Sequence, residues 1–251
     1  MPIRKARRDE WYKVRNFCTN TFLWGDYIEQ VWDSWTESGS LLAYEHDKEI
    51  LGICNVVIYG TESWIEGIRV KPTARRRHIG ISLLYAAEQT ATQKGATHGR
   101  SGIESSNMAS LQMYNTAKYR TEQVWHMYTC DAQPHNIQTL VYAAPKHTWP
   151  PRYVDSWMWL IPHHNMESGN ILHLQDGPTF VLAESKRFKN TLMVTIHNNV
   201  QCNNNNNTIQ YISDLAYRNN QTIQIFSTTK LNHTLLHKHD STISIVVKKF
   251  P

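Results

Sequence analysis

The chain has 251 residues, of which 41% are hydrophobic and 19% are charged, and its formal net charge is +5. This length suits one large domain or two small ones, and we expect two. Part of the basic excess lies in a single arginine cluster, and no long basic run alternates with aromatic residues. We therefore expect no nucleic-acid partner, and a polyanionic small molecule explains the cluster equally well.

Cysteine and histidine spacing argues against disulfide bonds and metal sites. The cysteines are far apart and form no C-x-x-C pair, as expected for a protein of a reducing cytoplasm. The histidine groups lack a cysteine or carboxylate at metal-binding spacing, so no metal is expected. No signal peptide and no apolar run of about 18 residues is present, which predicts a soluble protein without a membrane partner. The residues considered are Cys18, Cys54, Cys130, Cys202, His163, His164, His233, His237 and His239.

The first segment combines a strand with two helices. Residues 2–8 are predicted to form the strand, and Asp9 to cap a helix over residues 9–19. A second helix is predicted over residues 26–35. Aromatic residues in this region either pack in the core or line an acceptor pocket, and they are Trp24, Tyr27, Trp32 and Trp35.

Three strands follow, over residues 41–44, 50–59 and 63–70, and they predict an antiparallel meander. Pro72 ends the third strand because proline has no N–H to donate to a ladder. A helix with an apolar face comes next and stops before Gly95.

The first half ends with a strand, a helix and a strand. The strands are predicted over residues 101–104 and 121–130. Ser106 or Asn107 is the expected cap of the helix between them, which carries Tyr114 on its apolar face.

Residues 75–82 form a basic turn between a predicted strand and a predicted helix. Backbone N–H groups at a helix start and three arginine side chains converge there, and a hydrogen bond to a charged group contributes about 1.5–3 kcal/mol. The arrangement predicts an anion site of a size that suits a pyrophosphate.

The element order β, α, α, β, β, β, α, β, α, β and two motifs resemble the GNAT superfamily of acetyl-CoA-dependent N-acetyltransferases. The first motif is Val70-Lys71-Pro72-Thr73-Ala74-Arg75 followed by Arg76-Arg77-His78-Ile79-Gly80. The second motif is Asn107-Met108-Ala109-Ser110-Leu111-Gln112-Met113-Tyr114. Two positions depart from the family pattern, because His78 and Lys118 stand where the family prefers glycine.

The resemblance implies a binding site for acetyl-CoA as acyl donor, without a metal. The pantetheine arm would lie along the backbone of one strand, the pyrophosphate would lie over the basic turn, and Asn107 would help to hold the arm. The implied cofactor-binding residues are Ile68, Arg69, Val70, Arg75, Arg76, Arg77, His78, Ile79, Gly80, Ile81 and Asn107.

The resemblance also suggests catalytic groups. Backbone N–H groups near Val70 would face the thioester oxygen, and Tyr114 would protonate the leaving sulfur. Strand alternation from Val70 predicts that Glu66 points to the same face as Ile68, where it could act as the base. Glu104, three residues before Asn107, is the alternative base. Gly102 occupies the position, five residues before that asparagine, that often carries the base in protein N-terminal acetyltransferases, which weakens an assignment of the ribosomal-protein type.

Amine chemistry favours one class of acceptor. An α-amino group with a pKa of about 7.7–8.0 is partly neutral at pH 7, whereas a lysine amine with a pKa of about 10.4 is almost wholly protonated. A site with one weakly defined carboxylate therefore suits the α-amine of a small amino acid or peptide better than lysine. The alternative is an acyl-CoA-binding regulator without turnover.

The second half is predicted to be a smaller domain. A proline-containing linker over residues 132–151 separates an N-acetyltransferase domain, residues 1–131, from a second domain, residues 152–251. The predicted elements of this domain repeat the second half of the first, which suggests a degenerate GNAT-like copy. The predicted fold class is therefore α/β with a mixed sheet in two related domains. The elements are strands 171–183, 191–197, 222–226 and 241–250, helices 209–217 and 231–238, and an asparagine loop 203–207.

Overall fold

The first sheet begins with a short edge strand and the predicted meander. In this computed structural model, which describes residues 2–19, 21, 25–137, 140–162, 170–175, 177–197 and 206–251, β1 (Ile3–Lys5) pairs with β2 (Leu41–His46). β2 pairs antiparallel with β3 (Glu49–Tyr59), and β3 with β4 (Glu62–Val70). The meander prediction is therefore confirmed.

Helices α1 (Trp11–Val14) and α2 (Ile28–Glu37) pack on one face of this sheet. The helix predicted over residues 9–19 is wrong in part, because 3-10 turns flank α1 on both sides. One cause is Glu10, which is fully buried and bonds to Arg4 and to the Arg7 backbone N–H, so the first turn is tied to β1.

Trp32 and Trp35 are buried in the core beneath α2, as the core interpretation of the aromatic residues predicts. Tyr27 is half-buried and packs edge-on against Trp35, with ring centroids 6.1 Å apart. Trp24 lies outside the described residues. The two buried tryptophans therefore support α2, and Tyr27 is the aromatic residue that keeps partial exposure.

Helices α3 (Ile79–Gln93) and α4 (Met108–Thr116) contribute to the core cluster on the other face. Strands β5 (His98–Glu104) and β6 (Arg120–Cys130) follow the predicted order. The β4–α3–β5 crossover makes β5 parallel to β4. The Asn107 side chain caps α4, because its Oδ1 accepts the Ser110 backbone N–H at 3.1 Å.

The ladder between β3 and β4 contains a bulge. Ile53 pairs with Arg69, and Asn55 pairs with Glu66, so β4 has one more residue than β3 between these pairs. Gly67 lies in this interval with a φ of +64°. This is the left-handed region that glycine adopts without steric cost.

The described residues of the second half form nine further strands and one α-helix. The strands are β7 (Val141–Ala143), β8 (Tyr153–Asp155), β9 (Met158–Leu160), β10 (Ile171–Leu174), β11 (Thr179–Glu184), β12 (Thr191–His197), β13 (Thr222–Ser227) and β14 (Leu236–Lys238). A final strand, β15 (Ile243–Lys249), follows them, and the helix is α5 (Asn206–Arg218). Strands β8 and β9 form a separate hairpin.

Four predictions in this half are wrong. The 132–151 linker contains β7, which pairs with β10. The single strand predicted over residues 171–183 is the hairpin of β10 and β11. The predicted helix over residues 231–238 is not formed. Residues 236–238 are the strand β14 instead, which pairs with β6. Asn206 and Asn207 begin α5 rather than lying in a loop, and the rest of the asparagine run lies outside the described residues.

The chain divides into two compact units. Unit 1 comprises Met1–Ile103, Asn107–Glu122 and Val246–Pro251, and unit 2 comprises Glu104–Ser106 and Gln123–Ile245. The predicted domain bounds, 1–131 and 152–251, are not the bounds of these units. The last strand of the chain therefore supplies residues to unit 1, although most of unit 2 comes before it in the sequence.

Unit 2 repeats a topology found in unit 1. In unit 1 the antiparallel strands β2, β3 and β4 lead through α3 to the parallel strand β5. In unit 2 the antiparallel strands β10, β11 and β12 lead through α5 to the parallel strand β13. No helix in the described part of the chain has the length and apolar character needed to cross a membrane.

Replacing Gly67 tests the bulge. A Cβ at Gly67 would lie 2.8 Å from the Trp35 ring in addition to the strain of positive φ, so Gly67→Ala should lower the free energy of unfolding by about 2–4 kcal/mol. Gly60→Ala is the matched control, because Gly60 has a φ of +57° with nothing within 4 Å of its Cβ position. Denaturant unfolding that shows equal losses for the two variants would contradict this packing.

Candidate active site

The basic turn lies directly before α3, and its side chains are exposed. Arg75, Arg76, Arg77 and His78 all face solvent, and α3 begins at Ile79. Within the described ranges, no ion pair involves Arg76 or Arg77. These two positive charges are therefore available to an anion from solution.

Two residues in this turn adopt left-handed backbone conformations. The φ angles are +62° at Arg76 and +60° at His78. His78 occupies the N-cap position without a side-chain capping bond, while its carbonyl accepts the Ser82 N–H at 3.0 Å. The first N–H groups of α3, at Ile79, Gly80 and Ile81, therefore have no acceptor within the helix.

Gly80 provides space between α3 and the end of β4. A Cβ at this position would lie 3.0 Å from the Met113 sulfur, 3.7 Å from Val70 and 3.9 Å from Ile68. The predicted cofactor residues of β4 and α3 are thus adjacent in space. A side chain at residue 80 would fill the space between them.

Strands β4 and β5 pair over a short stretch. The ladder joins Glu62, Ser63 and Trp64 to His98, Gly99 and Arg100, although β4 continues to Val70. The part of β4 that contains Ile68 and Val70 therefore extends beyond the ladder. A backbone edge of this kind can accept an extended ligand as an additional strand.

Tyr114 is almost completely buried beneath this region. Its side chain is 3% exposed, belongs to the core cluster of α3 and α4, and packs edge-on against Tyr119 at a centroid distance of 4.9 Å. Burial raises the pKa of Tyr114 far above its usual value, and a hydrogen bond with Ser101 on β5 opposes this only in part. The hydroxyl therefore keeps its proton at neutral pH.

The bulge changes the face that Glu66 occupies. Directly paired residues share a face, so Glu66 and Arg69 lie with Asn55 and Ile53 on the side of α1 and α2. The prediction that Glu66 points with Ile68 and Val70 is wrong, because the extra residue in β4 reverses the alternation. The Glu66 carboxylate is buried, and the Asn55 amide donates to its Oε1 at 3.2 Å.

The Arg69 side chain binds within the protein rather than facing the basic turn. Its Nε and Nη2 donate to the Asp26 carboxylate at 2.8 Å and 2.9 Å, and its guanidinium lies 5.3 Å from the Tyr27 ring centroid. Burial lowers the pKa of Arg69, but Tyr27 and Asp26 together hold it above its usual value. The ion pair fixes the start of α2 to β4, and no spacing rule in the sequence could have found it.

The remaining predicted residues have defined positions. Asn107 is the exposed cap of α4, and its amide nitrogen is not used in that capping bond. Glu104, the alternative base, accepts a hydrogen bond from the Ser241 hydroxyl. Among the described residues, no three histidine, cysteine or acidic side chains are grouped to hold a metal ion.

Residues 5–119 match the model of the acetyltransferase (GNAT) family. This range contains the basic turn, the bulged strand and every predicted site residue. Residues 5–119 are therefore similar to a GNAT acetyltransferase domain. The mixed α/β fold and the site motifs of this region agree with the resemblance seen in the sequence.

Two curated relatives resemble parts of the chain. An aminoglycoside N(6')-acetyltransferase type 1 of Klebsiella aerogenes is 32% identical over 87 residues, which cover 32% of this chain and 57% of the relative. An N-acetyltransferase HLS1-like protein of Arabidopsis thaliana is 34% identical over 71 residues, which cover 27% of this chain and 17% of the relative. The chain thus spans less than two thirds of either relative.

One structural neighbour covers the whole chain. A protein from Thermoplasma acidophilum named as an acetyltransferase has a TM-score of 0.70 at 12% identity, with 100% of both chains covered. At this identity the likeness shows the fold alone.

The residues of this region fit acetyl-CoA, the acyl donor that the GNAT family uses. When bound, acetyl-CoA supplies an acetyl group activated as a thioester. The space at Gly80 and the N–H groups at the start of α3 suit a phosphorylated ligand, and the β4 edge suits an amide-containing arm. Arg76 and Arg77 add the charge that a pyrophosphate needs.

Proposed function

We propose that this protein is an acetyl-CoA-dependent N-acetyltransferase that acetylates a primary amine. The observation that carries the proposal is the bulge in β4, which separates two sets of residues on opposite faces of one strand. Ile68 and Val70 lie beside Gly80 and the basic turn, and Glu66 lies on the other face. A donor held on the first face and an amine approaching from the second would meet at the strand.

On the donor side, the backbone of Ile68, Arg69 and Val70 holds the pantetheine arm by strand-like hydrogen bonds. Arg75, Arg76, Arg77 and His78, with the N–H groups of Ile79, Gly80 and Ile81, hold the pyrophosphate. Asn107 contributes its amide nitrogen to the arm. A backbone N–H near Val70 stabilises the negative charge that develops on the thioester oxygen.

On the acceptor side, Glu66 attracts the amine and takes its proton. Glu66 and the half-buried Tyr27 ring both belong to the face of the sheet that bears α2, and a cation is attracted to a carboxylate and to an aromatic ring. The neighbouring Arg69 charge is neutralised by Asp26, so it does not repel the amine. Glu66 then holds the proton while the nitrogen attacks the acetyl carbon.

Tyr114 acts on the leaving sulfur. Its raised pKa keeps the hydroxyl protonated, which is the form that a donor needs. The same shift makes complete proton transfer from Tyr114 to a thiolate unfavourable, so the hydroxyl donates a hydrogen bond to the sulfur as the C–N bond forms and the C–S bond breaks. The thiolate then takes a proton from solvent, and Glu66 returns the amine's proton to solvent. Because the hydroxyl is buried, the sulfur must reach the part of β4 that extends beyond the ladder with β5.

The acceptor class follows from amine acidity and from the available base. One buried carboxylate favours an amine that is partly neutral at pH 7, such as the α-amine of a small amino acid or peptide. Aminoglycoside amines belong in the same test, because the relative from Klebsiella is named for them. The reaction suits a reducing cytoplasm, since Cys18, Cys54 and Cys130 are buried free thiols.

Unit 2 is proposed to be a degenerate copy of the acetyltransferase fold. Its β12–α5–β13 crossover repeats β4–α3–β5, but the sequence between β12 and α5 contains neither arginine nor glycine. This segment therefore lacks the arginines that make the turn of unit 1 basic. Acetyl-CoA is expected to bind to unit 1.

The alternative function is an acyl-CoA-binding regulator without turnover. The burial of Tyr114 in the core favours this alternative, because a buried hydroxyl can be purely structural. Both functions require acetyl-CoA binding, and only the enzyme releases free CoA thiol in the presence of an amine.

A thiol-release screen distinguishes the two functions. Purified full-length protein with acetyl-CoA should release thiol when a small α-amine is added, and less or none with side-chain amines of lysine whose α-amine is blocked. Free amino acids, short peptides, polyamines and aminoglycosides form the panel. Binding of CoA by calorimetry without release in any reaction would favour the regulator.

Arg76 and Arg77 are expected to supply much of the affinity for CoA. Replacing both with alanine should weaken binding by about 3–6 kcal/mol, because two charge-assisted hydrogen bonds are lost, and added salt should weaken the wild type. Arg15→Ala with Arg120→Ala is the control, since these exposed arginines of unit 1 carry the same total charge. Calorimetry showing equal affinity in both double variants would remove the pyrophosphate assignment.

Tyr114→Phe tests the role of the hydroxyl. If Tyr114 donates to the sulfur, kcat should fall by about 10²–10⁴ while CoA affinity is retained. Tyr119→Phe is the matched control, because it removes a buried hydroxyl from the neighbouring ring. A kcat for Tyr114→Phe equal to that of the control would assign the tyrosine to the core.

A further inference from the structure

Asn55 is a polar side chain in the middle of β3 that is completely buried. Burying an amide is costly unless its donors and acceptor are bonded. Asn55 meets this requirement through two side chains. Its Nδ2 donates to Glu66 Oε1 at 3.2 Å, and its Oδ1 accepts the Ser40 hydroxyl at 2.6 Å.

Ser40 is fixed next to Asn55 by its backbone as well as by its side chain. It precedes β2, it is 8% exposed, and its carbonyl accepts the Val56 N–H at 3.1 Å. The Ser40 hydroxyl has one proton, and its shortest contact is Asn55 Oδ1. The Trp35 carbonyl, at 3.2 Å, is the longer alternative.

These contacts determine which way the amide points. With Ser40 donating to Oδ1, the NH₂ group must face Glu66. The reversed amide would place its oxygen against a carboxylate oxygen, which loses the bond to Glu66. The Oγ of Ser38, which is exposed, lies 2.8 Å from Ser40 Oγ, and either hydroxyl can be the donor in this contact.

We infer that Asn55, oriented by Ser40, is a positioning residue that holds the Glu66 carboxylate in place to receive the proton of the acceptor amine. The inference rests on the proposed function, in which Glu66 is the base. Asn55 fixes Oε1 against β3, next to the bulge. A base whose carboxylate rotates would spend part of its time in positions that cannot reach the amine.

The role differs from simple packing because it depends on the Ser40 hydroxyl, a group that does not touch Glu66. Ser40→Thr and Ser40→Val have the same shape, and only threonine keeps the hydroxyl. The valine variant should lose about tenfold or more in kcat at unchanged KM for acetyl-CoA, and the threonine variant should recover most of this loss. Exposed Ser38→Ala should have little effect.

A double-mutant cycle links the effect to Glu66. In a Glu66→Gln background, Ser40→Val should give no further loss of kcat relative to Ser40→Thr, because the carboxylate that it positions has been removed. Equal kcat for the threonine and valine variants in the wild-type background would overturn the inference. A full additional loss in the Glu66→Gln background would also overturn it.

The inference remains testable if the wild-type protein shows no turnover, a result that would contradict the proposed function alone. Ser40→Val and Glu66→Gln would then be combined in a thermal unfolding cycle. Non-additive shifts of the unfolding midpoint, between two residues that both bond to Asn55, would support the inference. Additive shifts would overturn it.

Discussion

The bulge in β4 is the constraint on which the site depends. One additional residue around Gly67 turns Glu66 away from Ile68 and Val70, so a single strand presents different chemistry to its two faces. The left-handed glycine fits because its missing Cβ leaves room for the Trp35 ring of α2. The bulge therefore determines three features at once. These are the packing of α2 against Gly67, the change of face along β4 and the location of the Glu66 carboxylate.

Arginine has two different tasks in unit 1. Arg76 and Arg77 are exposed and keep their hydration, which a phosphorylated ligand would replace. Arg69 is buried, and its charge is balanced by Asp26 and by the Tyr27 ring. A buried charge is tolerated only with such partners, so Arg69 serves the structure, although it lies next to residues proposed to bind the cofactor.

Regular elements of unit 1 could be predicted because their periodicity is long and uninterrupted. The strands of the meander, α3 and the Asn107 cap of α4 occur where the sequence indicates them. The face of Glu66 could not be predicted, because one inserted residue reverses a period of two and Gly67 is the only local signal. The pair of Arg69 and Asp26 joins residues 43 positions apart, beyond the reach of any local pattern.

In unit 2, tertiary pairing overrides local pattern. Leucines at 231 and 235 have helical spacing, yet the Leu231 N–H bonds to the Tyr128 hydroxyl and residues 236–238 pair with β6. The prolines of residues 132–151 suggested a linker, but Val141–Ala143 complete the edge of a sheet. The topological repeat was easier to recognise in the sequence than the element bounds, because the order of strands and helices stays the same when individual bounds are wrong.

The residues of unit 1 also constrain the order in which the protein can fold. Phe250 is buried in the core of unit 1, where its ring fills the space left by Gly99, and its N–H donates to the Thr97 carbonyl. Because these residues follow unit 2 in the chain, the ribosome releases them only after all of unit 2. Unit 1 therefore stays incomplete in the nascent chain, with part of its apolar core exposed, throughout the synthesis of unit 2.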